Sequence, residues 1–506
     1  MRADAGTRRS VPPAVAFTFR VGSREPRGVT ITAARMAAVD RNAAALDVST
    51  KQLMESSGHA LARAVRDVAA PGDSVTVLAG RGNNGGDAFV AARFLDGDVD
   101  VSVRLLGRPE TITTEIAREN WAALQSAEID AERVLDSKSL ALGDPDVVLD
   151  GVLGTGVTGA PREPERSAIV AANEADATVV SVDVPSGMDA DTGEVADVAV
   201  EADRVVTFHD LKPGLDGRDD VTVADIGIPE AAETFVGPGD LLSLERDPQA
   251  HKGDFGRVMV IGGGPYTGAP ALCAQAALRA GADLAYVACP DAIADTVQGY
   301  AEDLIVESYE GERLRPRDVD VLLAAAADRD VVVIGPGLGG ADDTLDAVRD
   351  FLAGYEGTAV VDADALQVVP DVDTDATLVC TPHQGELATM GGPRVDDWEE
   401  RAALVAEFAA ELDVTLLVKG AYDVISDGDV TRANRTGNPG MTVGGTGDVL
   451  AGITGAMAST RAPVQAAAIA AYANGSAGDA VVDERGYGLL ASDLLGEIPP
   501  ALWGER

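Results

Sequence analysis

The sequence is poor in cysteine and lacks long hydrophobic runs, and each scarcity excludes a class of protein. Its three cysteines, Cys273, Cys289 and Cys380, lie in apolar contexts without metal-ligand spacing. We therefore expect buried thiols in a reducing compartment rather than disulfides or a metal site. No uninterrupted apolar run reaches membrane-spanning length. These absences predict a soluble, cytoplasmic protein.

Positive charge is also scarce. The chain has 40 Lys and Arg against 83 Asp and Glu, for a formal net charge of -43, and lysine occurs only at positions 51, 138, 212, 252 and 419. A surface this acidic repels nucleic acid and anionic membranes, so we expect neither as a partner. The acidic residues are spread along the whole length, which favours adaptation to a very salty, halophilic cytoplasm where ions screen the repulsion.

The 506 residues exceed one ordinary core, so we expect more than one domain. Residues 1–28 carry charges and prolines without a long apolar segment, which predicts a loose N-terminal extension and not a signal peptide. The turn-rich run Gly237-Pro238-Gly239-Asp240 marks the expected boundary. The predicted domains are therefore residues 29–240 and 241–506.

The first half alternates helical and strand patterns. Apolar positions at helical spacing between Ile31 and Val68 predict one or two helices. A glycine-rich turn, Gly80 to Asp87, follows the first strand and precedes a helix expected from Ala88. The predicted strands are Ser74–Ala79, Asp100–Leu106, Asp146–Leu149, Thr178–Val184 and Arg204–Phe208. This alternation predicts a mainly parallel, doubly wound α/β sheet with ligands at the carboxyl ends of the strands.

Polar residues cluster at those expected strand ends. Asn83, Asn84 and Asp87 lie in the first turn, while Asp150 and Asp183 end two later strands. The carboxylates beside a glycine-rich crevice could form a cation site, an acid–base site, or both, and oxygen ligands suit an alkali or alkaline-earth ion. Singly, Asp150 or Asp183 could instead be a turn or helix cap.

The second half repeats the α/β pattern. Its expected strands are Arg257–Ile261, Ala285–Ala288, Val331–Ile334, Ala359–Val361, Leu378–Cys380 and Thr415–Val418. Near the end, Gly444, Gly445 and Gly447 form a turn before a helix, with Asp448 at its start. Unpaired amides at a helix N-terminus bind anions, and a carboxylate there could take a proton from a hydroxyl that receives phosphate. The simpler alternative is that Asp448 caps the helix.

Two further residues fit a phosphate site. Lys419 ends a strand in a chain that otherwise uses arginine, which suggests a compact point charge on phosphate. His383 ends a neighbouring strand and could be either a satisfied core histidine or a ligand contact.

The motifs of the second half resemble one branch of the ribokinase-like superfamily, the nucleotide-dependent NAD(P)H-hydrate dehydratases. The matching segments are His-Lys-Gly-Asp-Phe-Gly at 251–256, Tyr-Thr-Gly-Ala-Pro at 266–270, Gly-Pro-Gly-Leu-Gly at 335–339, Thr-Pro-His at 381–383, Lys-Gly-Ala at 419–421 and the glycine-rich segment at 437–452. The first half is similar to the NAD(P)H-hydrate epimerase domain, whose fold is a Rossmann-like three-layer sandwich. Its matching segments are 83–87, Asp150, 154–160 and Asp-Val-Pro-Ser-Gly-Met at 183–188. In order, the two sets resemble the bifunctional NAD(P)H-hydrate repair enzymes.

For the first half, the resemblance implies a substrate pocket, a proton-transfer residue and a potassium ion. The pocket residues are Asn83, Asn84, Gly85, Gly86, Asp87, Gly154, Thr155, Gly156, Val157, Thr158, Gly159, Ala160 and Asp183. Asp183 would transfer the proton, and Asn84, Asp150 and Ser186 would hold K⁺. Ser56 stands where the family pattern has Asn, and Ala88 where Gly is common.

For the second half, the resemblance implies dehydration of hydrated NADH or NADPH with ADP (or ATP) and Mg²⁺. The substrate contacts would be Ala269, Gly337, His383 and Asp448, with Asp448 as the base. The nucleotide contacts would be Lys419, Gly420, Ala421, Tyr422, Asp423 and Gly447. We also expect a homo-oligomer. The alternatives are a vitamin-alcohol kinase and a non-catalytic dinucleotide-binding first half.

Overall fold

The computed structural model describes residues 30–504 and divides them into two compact units. Among the described residues, the first unit contains 30–33 together with Lys51–Gly227, and the second contains Ala34–Thr50 together with 228–504. The predicted N-terminal extension, residues 1–28, lies outside the described residues. Each unit has its own sheet, which confirms the prediction of two α/β domains.

The helical spacing before the first strand gives two helices, α1 (Ala33–Ala45) and α2 (Thr50–Arg66). The sheet of the first unit consists of β1 (Ser74–Ala79), β2 (Asp100–Leu106), β3 (Asp130–Val134), β4 (Val147–Gly151), β5 (Thr178–Val182), β6 (Arg204–Phe208) and β7 (Val221–Ala224). Its connecting helices are α3 (Asn83–Leu95), α4 (Glu115–Ser126) and α5 (Glu165–Glu174). All seven strands are parallel, in the order β3-β2-β1-β4-β5-β6-β7.

The chain winds outward from β1 to β3 and then returns to β4 on the other side of β1. This reversal leaves a crevice at the carboxyl ends of β1 and β4, where doubly wound sheets bind ligands. The outer strands β3 and β7 were absent from the sequence prediction. Both lie at an edge and are only partly buried, so they lack the continuous apolar runs of the central strands.

The second unit has a nine-stranded sheet. Its strands are β8 (Arg257–Ile261), β9 (Leu284–Pro290), β10 (Ile305–Tyr309), β11 (Val331–Ile334), β12 (Thr358–Val361), β13 (Thr377–Cys380), β14 (Thr415–Val418), β15 (Asp423–Ser426) and β16 (Thr431–Asn434). Its other helices are α6 (Ala231–Thr234), α7 (Gly268–Arg279), α8 (Asp291–Gln298), α9 (Val319–Ala326), α10 (Asp342–Gly354), α11 (Gln384–Thr389), α12 (Trp398–Leu412), α13 (Thr446–Ala458), α14 (Pro463–Arg485) and α15 (Ala491–Trp503).

The seven strands β8 to β14 are parallel, in the order β10-β9-β8-β11-β12-β13-β14. The antiparallel strands β15 and β16 complete the sheet. The order reverses between β8 and β11, which places a second crevice at their carboxyl ends. The prediction missed β10 and the β15–β16 hairpin, which form the two margins of the sheet.

Helices cover both faces of this second sheet. Along β8, Val258 and Val260 join a core with α7, α13, α14 and α15, while Met259 and Ile261 join another core with α9, α10 and α12. This two-residue alternation is the pleat of a strand buried on both sides. The three cysteines are free and buried, as predicted. Within residues 30–504, no helix is both long and apolar enough to span a bilayer.

The predicted domain boundary near residue 240 lies within the second compact unit. The division falls after Gly227, and Gly237 to Asp240 serve as a docking site for α1 within the second unit. The Asp240 carboxylate accepts hydrogen bonds from Arg35 (2.8 Å) and Asn42 (3.0 Å) of α1. A side chain at position 239 would lie 1.9 Å from the Ala38 carbonyl oxygen, so its glycine permits the close approach of α1. Turn-forming residues here therefore mark a helix contact and not a linker.

Arg432 of β16 completes this contact with two further hydrogen bonds to Asp240, at 2.9 and 3.1 Å. Burial alone would raise the pKa of Asp240, but Arg432 and then Arg35 outweigh burial and lower it. The buried carboxylate is therefore held charged between two arginines.

Candidate active sites

In the first unit, the glycine-rich segment after β1 is the first turn of α3. The helix begins at Asn83 and not at Ala88, and its N-cap residue, Gly82, makes no side-chain cap. Gly85 permits the turn because a side chain there would lie 2.1 Å from the Gly80 carbonyl oxygen. The segment thus presents helix amides at the β1–β4 crevice.

Not every residue of this segment faces the crevice. Gly86 packs against α2, since an added Cβ would lie 2.7 Å from the Met54 methyl group. Asp87 is buried and accepts a hydrogen bond from the Ser57 hydroxyl of α2 at 2.5 Å. Asn83 is exposed and Asn84 is half-buried. The two asparagines are therefore the side chains of this turn that remain nearest to solvent.

The two departures from the family pattern are accommodated in the packing. The Ser56 hydroxyl bonds the Gln52 carbonyl of its own helix at 3.1 Å. Ala88 is fully buried, and its methyl group faces Gly151, where an added Cβ would lie only 2.7 Å away. Ala88 thus fits because β4 ends in glycine, and it does not narrow a turn.

The three residues predicted to hold a potassium ion lie together. The Ser186 hydroxyl donates to Asp150 at 2.6 Å and to the Leu153 carbonyl at 3.2 Å. The Asn84 amide donates to the same Leu153 carbonyl at 3.4 Å. Asn84, Asp150 and Ser186 therefore converge around the segment that follows β4.

Asp150 is fully buried among neutral donors. Its carboxylate accepts hydrogen bonds from the Ser181 hydroxyl (2.8 Å), the Ser186 hydroxyl and amide (2.6 and 3.0 Å) and the Val152 amide (3.3 Å). Burial raises the pKa of Asp150 despite these bonds. Among residues 30–504, no lysine or arginine pairs with it, so a bound cation would supply the missing positive charge.

The predicted pocket segment Gly154 to Ala160 connects β4 to the residues before α5. It is half-buried at Gly154 and Thr155 and exposed from Gly156 onward. Gly154 lies against Asn84, because an added Cβ would lie 2.2 Å from the Asn84 amide oxygen. The segment therefore starts at the Asn84–Asp150–Ser186 cluster and then continues into solvent.

Asp183 follows β5 with a left-handed backbone, φ 64°, which is uncommon for a residue other than glycine. Its Oδ1 atom accepts hydrogen bonds from the Thr207 hydroxyl (2.9 Å) and the Phe208 amide (3.2 Å). Neither bond closes a turn or a helix, so the cap that the sequence left open as an alternative is not the role of this side chain.

Sequence reasoning missed the most buried charged neighbour of Asp183. The Lys212 ammonium group is completely buried and lies 2.9 Å from Asp183 Oδ1. It also donates to the carbonyls of Phe208 (2.8 Å) and Asp210 (3.3 Å). The scarcity of lysine, the same signal that singled out Lys419, could have found it.

In the second unit, α13 begins at Thr446 after Gly445, which is the N-cap residue with φ 101°. No side chain caps the helix, so its first amides remain available to an anion. Asp448 lies in this first turn and is half-buried. The alternative that Asp448 is the N-cap is therefore wrong.

Lys419 lies at the same helix end. A Cβ added at Gly447 would be 3.4 Å from the Lys419 ammonium nitrogen, which places that nitrogen against the first turn of α13. The ammonium group donates to Asp362 Oδ1 at 3.0 Å and lies 3.7 Å from Glu386 Oε2. Burial alone would lower the pKa of Lys419, but the surrounding carboxylates, Asp362 first, outweigh burial and raise it.

Asp362 and Glu386 were not among the predicted site residues. Asp362 follows β12, is almost fully buried, and also accepts a hydrogen bond from the Thr381 hydroxyl at 2.8 Å. Its position at a strand end, in the run Asp-Ala-Asp-Ala-Leu, was the available signal. Asp362 and Glu386 surround Lys419 with negative charge.

The charges of Asp362, Lys419 and Glu386 also act on the Asp448 carboxylate, although none of these residues forms a hydrogen bond with it. Burial raises the pKa of Asp448 to about 7, with a further contribution from Asp362 and an opposing one from Lys419. No residue between 30 and 504 donates a hydrogen bond to its carboxylate. A half-buried carboxylate that titrates near neutral pH beside unpaired amides can accept a proton from a bound hydroxyl.

His383 is not a core histidine, since its side chain is 59% exposed. Its Nδ1 atom accepts the Gly385 and Glu386 amides at 2.9 and 3.0 Å, which caps α11, while the Glu386 carboxylate accepts the His383 amide at 2.7 Å. Because Nδ1 is an acceptor, Nε2 carries the proton. His383 also borders a cleft of about 320 Å³ with Ala363 and Leu366.

Ala269 and Gly337 meet at the β8–β11 crevice. Gly337 has φ 73°, and an added Cβ would lie 3.2 Å from the Ala269 methyl group and 2.8 Å from the Tyr266 carbonyl oxygen. These two predicted contacts are therefore neighbours at the point where the strand order reverses. His383, Lys419 and Asp448 lie farther along the same carboxyl edge, beyond β13 and β14 and at α13.

The segment Lys419 to Asp423 turns from β14 into β15. Asp423 accepts the Gly420 amide and the Asn434 side-chain amide, both at 2.9 Å, and burial raises the pKa of Asp423 to about 6. Ala421 is exposed, and the Tyr422 ring stacks on Trp398 with centroids 5.2 Å apart. Asp423 thus fixes the turn while Gly420 to Tyr422 remain accessible.

Comparison with known proteins found a family model for each half of the chain. Residues 258–500 match the family model described as NAD(P)H-hydrate dehydratase, and residues 50–214 match the model described as YjeF-related protein N-terminus. A solved structure, the ADP/ATP-dependent NAD(P)H-hydrate dehydratase from Bacillus subtilis co-crystallized with ATP/Mg²⁺, is 27% identical. That match covers 51% of this chain and 92% of the other, with a TM-score of 0.45.

Two curated relatives match nearly the whole chain, and both are named Bifunctional NAD(P)H-hydrate repair enzyme Nnr. The protein from Methanothermobacter thermautotrophicus is 42% identical over 490 residues, covering 92% of this chain and 94% of its own. The protein from Pyrobaculum aerophilum is 44% identical over 491 residues, covering 93% and 97%. With both family models matched in order and relatives aligned over nearly its full length, the chain belongs to the family of bifunctional NAD(P)H-hydrate repair enzymes.

Proposed function

We propose that this enzyme restores hydrated NADH and NADPH to their reduced forms. The first unit interconverts the R and S hydrates, and the second dehydrates the S hydrate with a nucleotide, giving AMP and phosphate when the nucleotide is ADP. The observation that carries the proposal is the placement of Asp448, whose pKa is raised to about 7, beside Lys419 and the uncapped N-terminus of α13.

In the second unit, Asp448 takes the proton of the hydrate's hydroxyl as the phosphoryl group is transferred to that oxygen. The amides of Gly445 to Gly447 and the Lys419 ammonium group bind the phosphoryl oxygens and offset their charge. Loss of phosphate from its carbon and of a proton from the neighbouring ring carbon then restores the ring double bond, and phosphate leaves more readily than hydroxide. Magnesium enters bound to the nucleotide, as part of the substrate.

The two ligands of the second unit would occupy different parts of its carboxyl edge. Ala269, Gly337 and His383 contact the hydrated dinucleotide, while the turn from Lys419 to Asp423 contacts the nucleotide together with Gly447. Three facts support this division: the adjacency of Ala269 and Gly337, the cleft beside His383, and the accessible turn after Lys419.

In the first unit, inversion at the hydroxyl-bearing carbon requires a bond at that carbon to break and re-form. Asp183 takes the hydroxyl proton as the bond from that carbon to the ring nitrogen breaks and a carbonyl forms, and the nitrogen keeps the electron pair. The nitrogen then attacks the opposite face of the carbonyl and Asp183 returns the proton to the oxygen, so no proton is consumed overall. Asn83, Asn84 and the segment Gly154 to Ala160 hold the hydrate in the crevice. Gly85, Gly86 and Asp87 act by placing the start of α3 and not through direct contact.

A potassium ion fits the first unit through Asn84, Asp150 and Ser186. These residues offer hard oxygen donors, and buried Asp150 lacks a cationic partner within the described chain. When bound, the ion would supply a positive charge beside the crevice.

The test uses the complete chain, a mixture of R and S hydrates of NADH, and concentrated KCl, and it follows the absorbance of reduced nicotinamide. We expect complete recovery with magnesium and ADP or ATP, and one phosphate released for each NADH formed. No recovery with either nucleotide would contradict the dehydratase assignment. Recovery that stops at the S fraction would contradict the epimerase assignment alone, and phosphate retained on an organic product would favour a small-molecule kinase.

A further inference from the structure

Lys212 is a buried charge that the proposed reaction does not yet use. Its side chain has no exposed surface, although burying an ammonium group is unfavourable unless it is paired and hydrogen-bonded. The chain has five lysines in all, so a lysine at this fully buried position is unusual. The position of this lysine therefore calls for a specific partner.

The ammonium group has three close oxygen neighbours, two of them hydrogen-bond acceptors and one an ion-pair partner. Two are the carbonyls of Phe208 and Asp210, at 2.8 and 3.3 Å, which lie in the segment that leads from β6 to Lys212. The third is Asp183 Oδ1 at 2.9 Å, across the sheet edge at the end of β5. Lys212 is therefore held by two carbonyls and faces the Asp183 carboxylate, with no exposed surface through which to reach a substrate.

The donors around Asp183 are distributed unequally between its two oxygens. The Thr207 hydroxyl and the Phe208 amide donate to Oδ1, and the Lys212 ammonium nitrogen lies 2.9 Å from the same oxygen as an ion pair. Within residues 30–504, no group donates to Oδ2. The carboxylate is therefore anchored by one oxygen, and the other remains available for chemistry.

We infer that Lys212 is a positioning residue that holds Asp183 by Oδ1 and so presents Oδ2 as the oxygen that exchanges a proton with the hydrate. This inference rests on the proposed epimerase function of the first unit. The ammonium group also places a positive charge 2.9 Å from the buried Asp183 carboxylate. The proton moves from the hydrate to Oδ2 and returns, while Lys212 keeps all its hydrogens.

The experiment compares the complete enzyme with its Lys212→Met variant, which keeps the length of the side chain and removes the charge. Interconversion of R and S hydrates is followed by chromatography without nucleotide, so that dehydration cannot contribute. We expect kcat for epimerisation to fall about 100-fold, within the range for loss of general-base function, and KM to change less than threefold. ADP-dependent dehydration of pure S hydrate by the same sample should be unchanged and reports that the second unit is intact, and thermal unfolding of the variant followed by circular dichroism reports whether the first unit is folded.

Lys51→Met is the matched control, because Lys51 lies in the same unit with an exposed ion pair to Glu119. It should leave epimerisation unchanged. Adding Lys212→Met to Asp183→Asn should cause less than a threefold further loss, since a residue that acts through Asp183 has nothing left to position.

If Lys212→Met disrupts the first unit, Thr207→Val removes one neutral donor to Oδ1 with little change of shape. We expect a loss in kcat of about tenfold, the effect of one hydrogen bond to a charged group, with KM unchanged. Folded Lys212→Met or Thr207→Val that epimerises within threefold of the parent would overturn the inference. A parent enzyme without epimerase activity would overturn the proposed function of the unit together with it.

Discussion

Asp183 and Asp448 are the same residue type at the carboxyl edges of two sheets, yet they are held in opposite ways. Two hydrogen-bond donors and the Lys212 ammonium group all contact one oxygen of Asp183. Asp448 receives no hydrogen bond within residues 30–504, and burial raises its pKa to about 7. One carboxylate is anchored by direct contacts to one oxygen, whereas the other has none and has a pKa raised by burial. A proposed base can thus be prepared either by anchoring or by desolvation.

The largest expected effect separates the two carboxylates. Asp448→Asn should lower the rate of dehydration of the S hydrate by about 10²–10⁴, because a positioned base contributes that much, and should leave epimerisation unchanged. Asp183→Asn should do the reverse. Measuring both activities on each purified variant checks this, and either variant losing both activities would contradict two independent sites.

Next in size is the charge at the start of α13. Lys419→Met removes the cation that lies against Gly447, so KM for ADP should rise roughly 10–100-fold, as expected for a desolvated charge contact. Initial rates at varied ADP and saturating S hydrate measure the change. Arg349→Met, an exposed ion-pair change in the same unit, is the control and should have no effect. An unchanged KM in Lys419→Met would remove Lys419 from the nucleotide site.

A smaller effect concerns pH. Asp448 acts as a base only when ionised, so dehydration should increase with pH up to about 7 and then level off. Asp362→Asn removes a negative charge that helps to raise the pKa of Asp448. The rising part of the rate–pH profile should therefore move to lower pH by about one unit. Rate–pH profiles of kcat in the parent and variant test the shift. If the rise of kcat stays at the same pH or moves to higher pH, the proposed influence of Asp362 is contradicted.

The smallest effect is on stability. The pKa of Asp448 is higher in the folded protein than in the unfolded chain, so its contribution to stability is present at low pH and is lost between about 4 and 7. At pH 8, Asp448→Asn should therefore raise the free energy of unfolding of the second unit by on the order of 1–3 kcal/mol. Thermal unfolding at pH 8 and pH 4 measures this, and equal gains at both values would contradict it.

The central strands could be predicted because each is buried on both faces and forms a continuous apolar run. Ser74–Ala79, Arg257–Ile261 and Thr415–Val418 have the predicted bounds. Edge strands such as β3 were missed because their partly exposed residues carry no such run. Asp448 and Lys419 could be singled out because a glycine-rich turn and a rare lysine are local signals. The residues that accompany them are fixed by long-range pairing, which one sequence does not reveal.

Lys212 illustrates why such long-range pairs cannot be predicted from one sequence, even though the rarity of lysine is itself a local signal. Its importance depends on a contact with Asp183 between two strand ends, and the chain between them contains no pattern that announces the pair. Asp362 is similar, since its partner Lys419 follows a different strand. Gly237 to Asp240 are the reverse case. Their composition is typical of a linker, but in the structure they form hydrogen bonds with α1.

The docking of α1 has a consequence for dissecting this enzyme. The polypeptide passes from one unit to the other after Ala33, after Thr50 and again after Gly227. No single cut separates two intact halves. A fragment that starts at Ile228 loses Arg35 and Asn42, which leaves Asp240 with Arg432 alone among its side-chain donors and uncovers the surface that α1 occupied. Split versions of this protein should therefore carry residues 34–50 with the C-terminal piece.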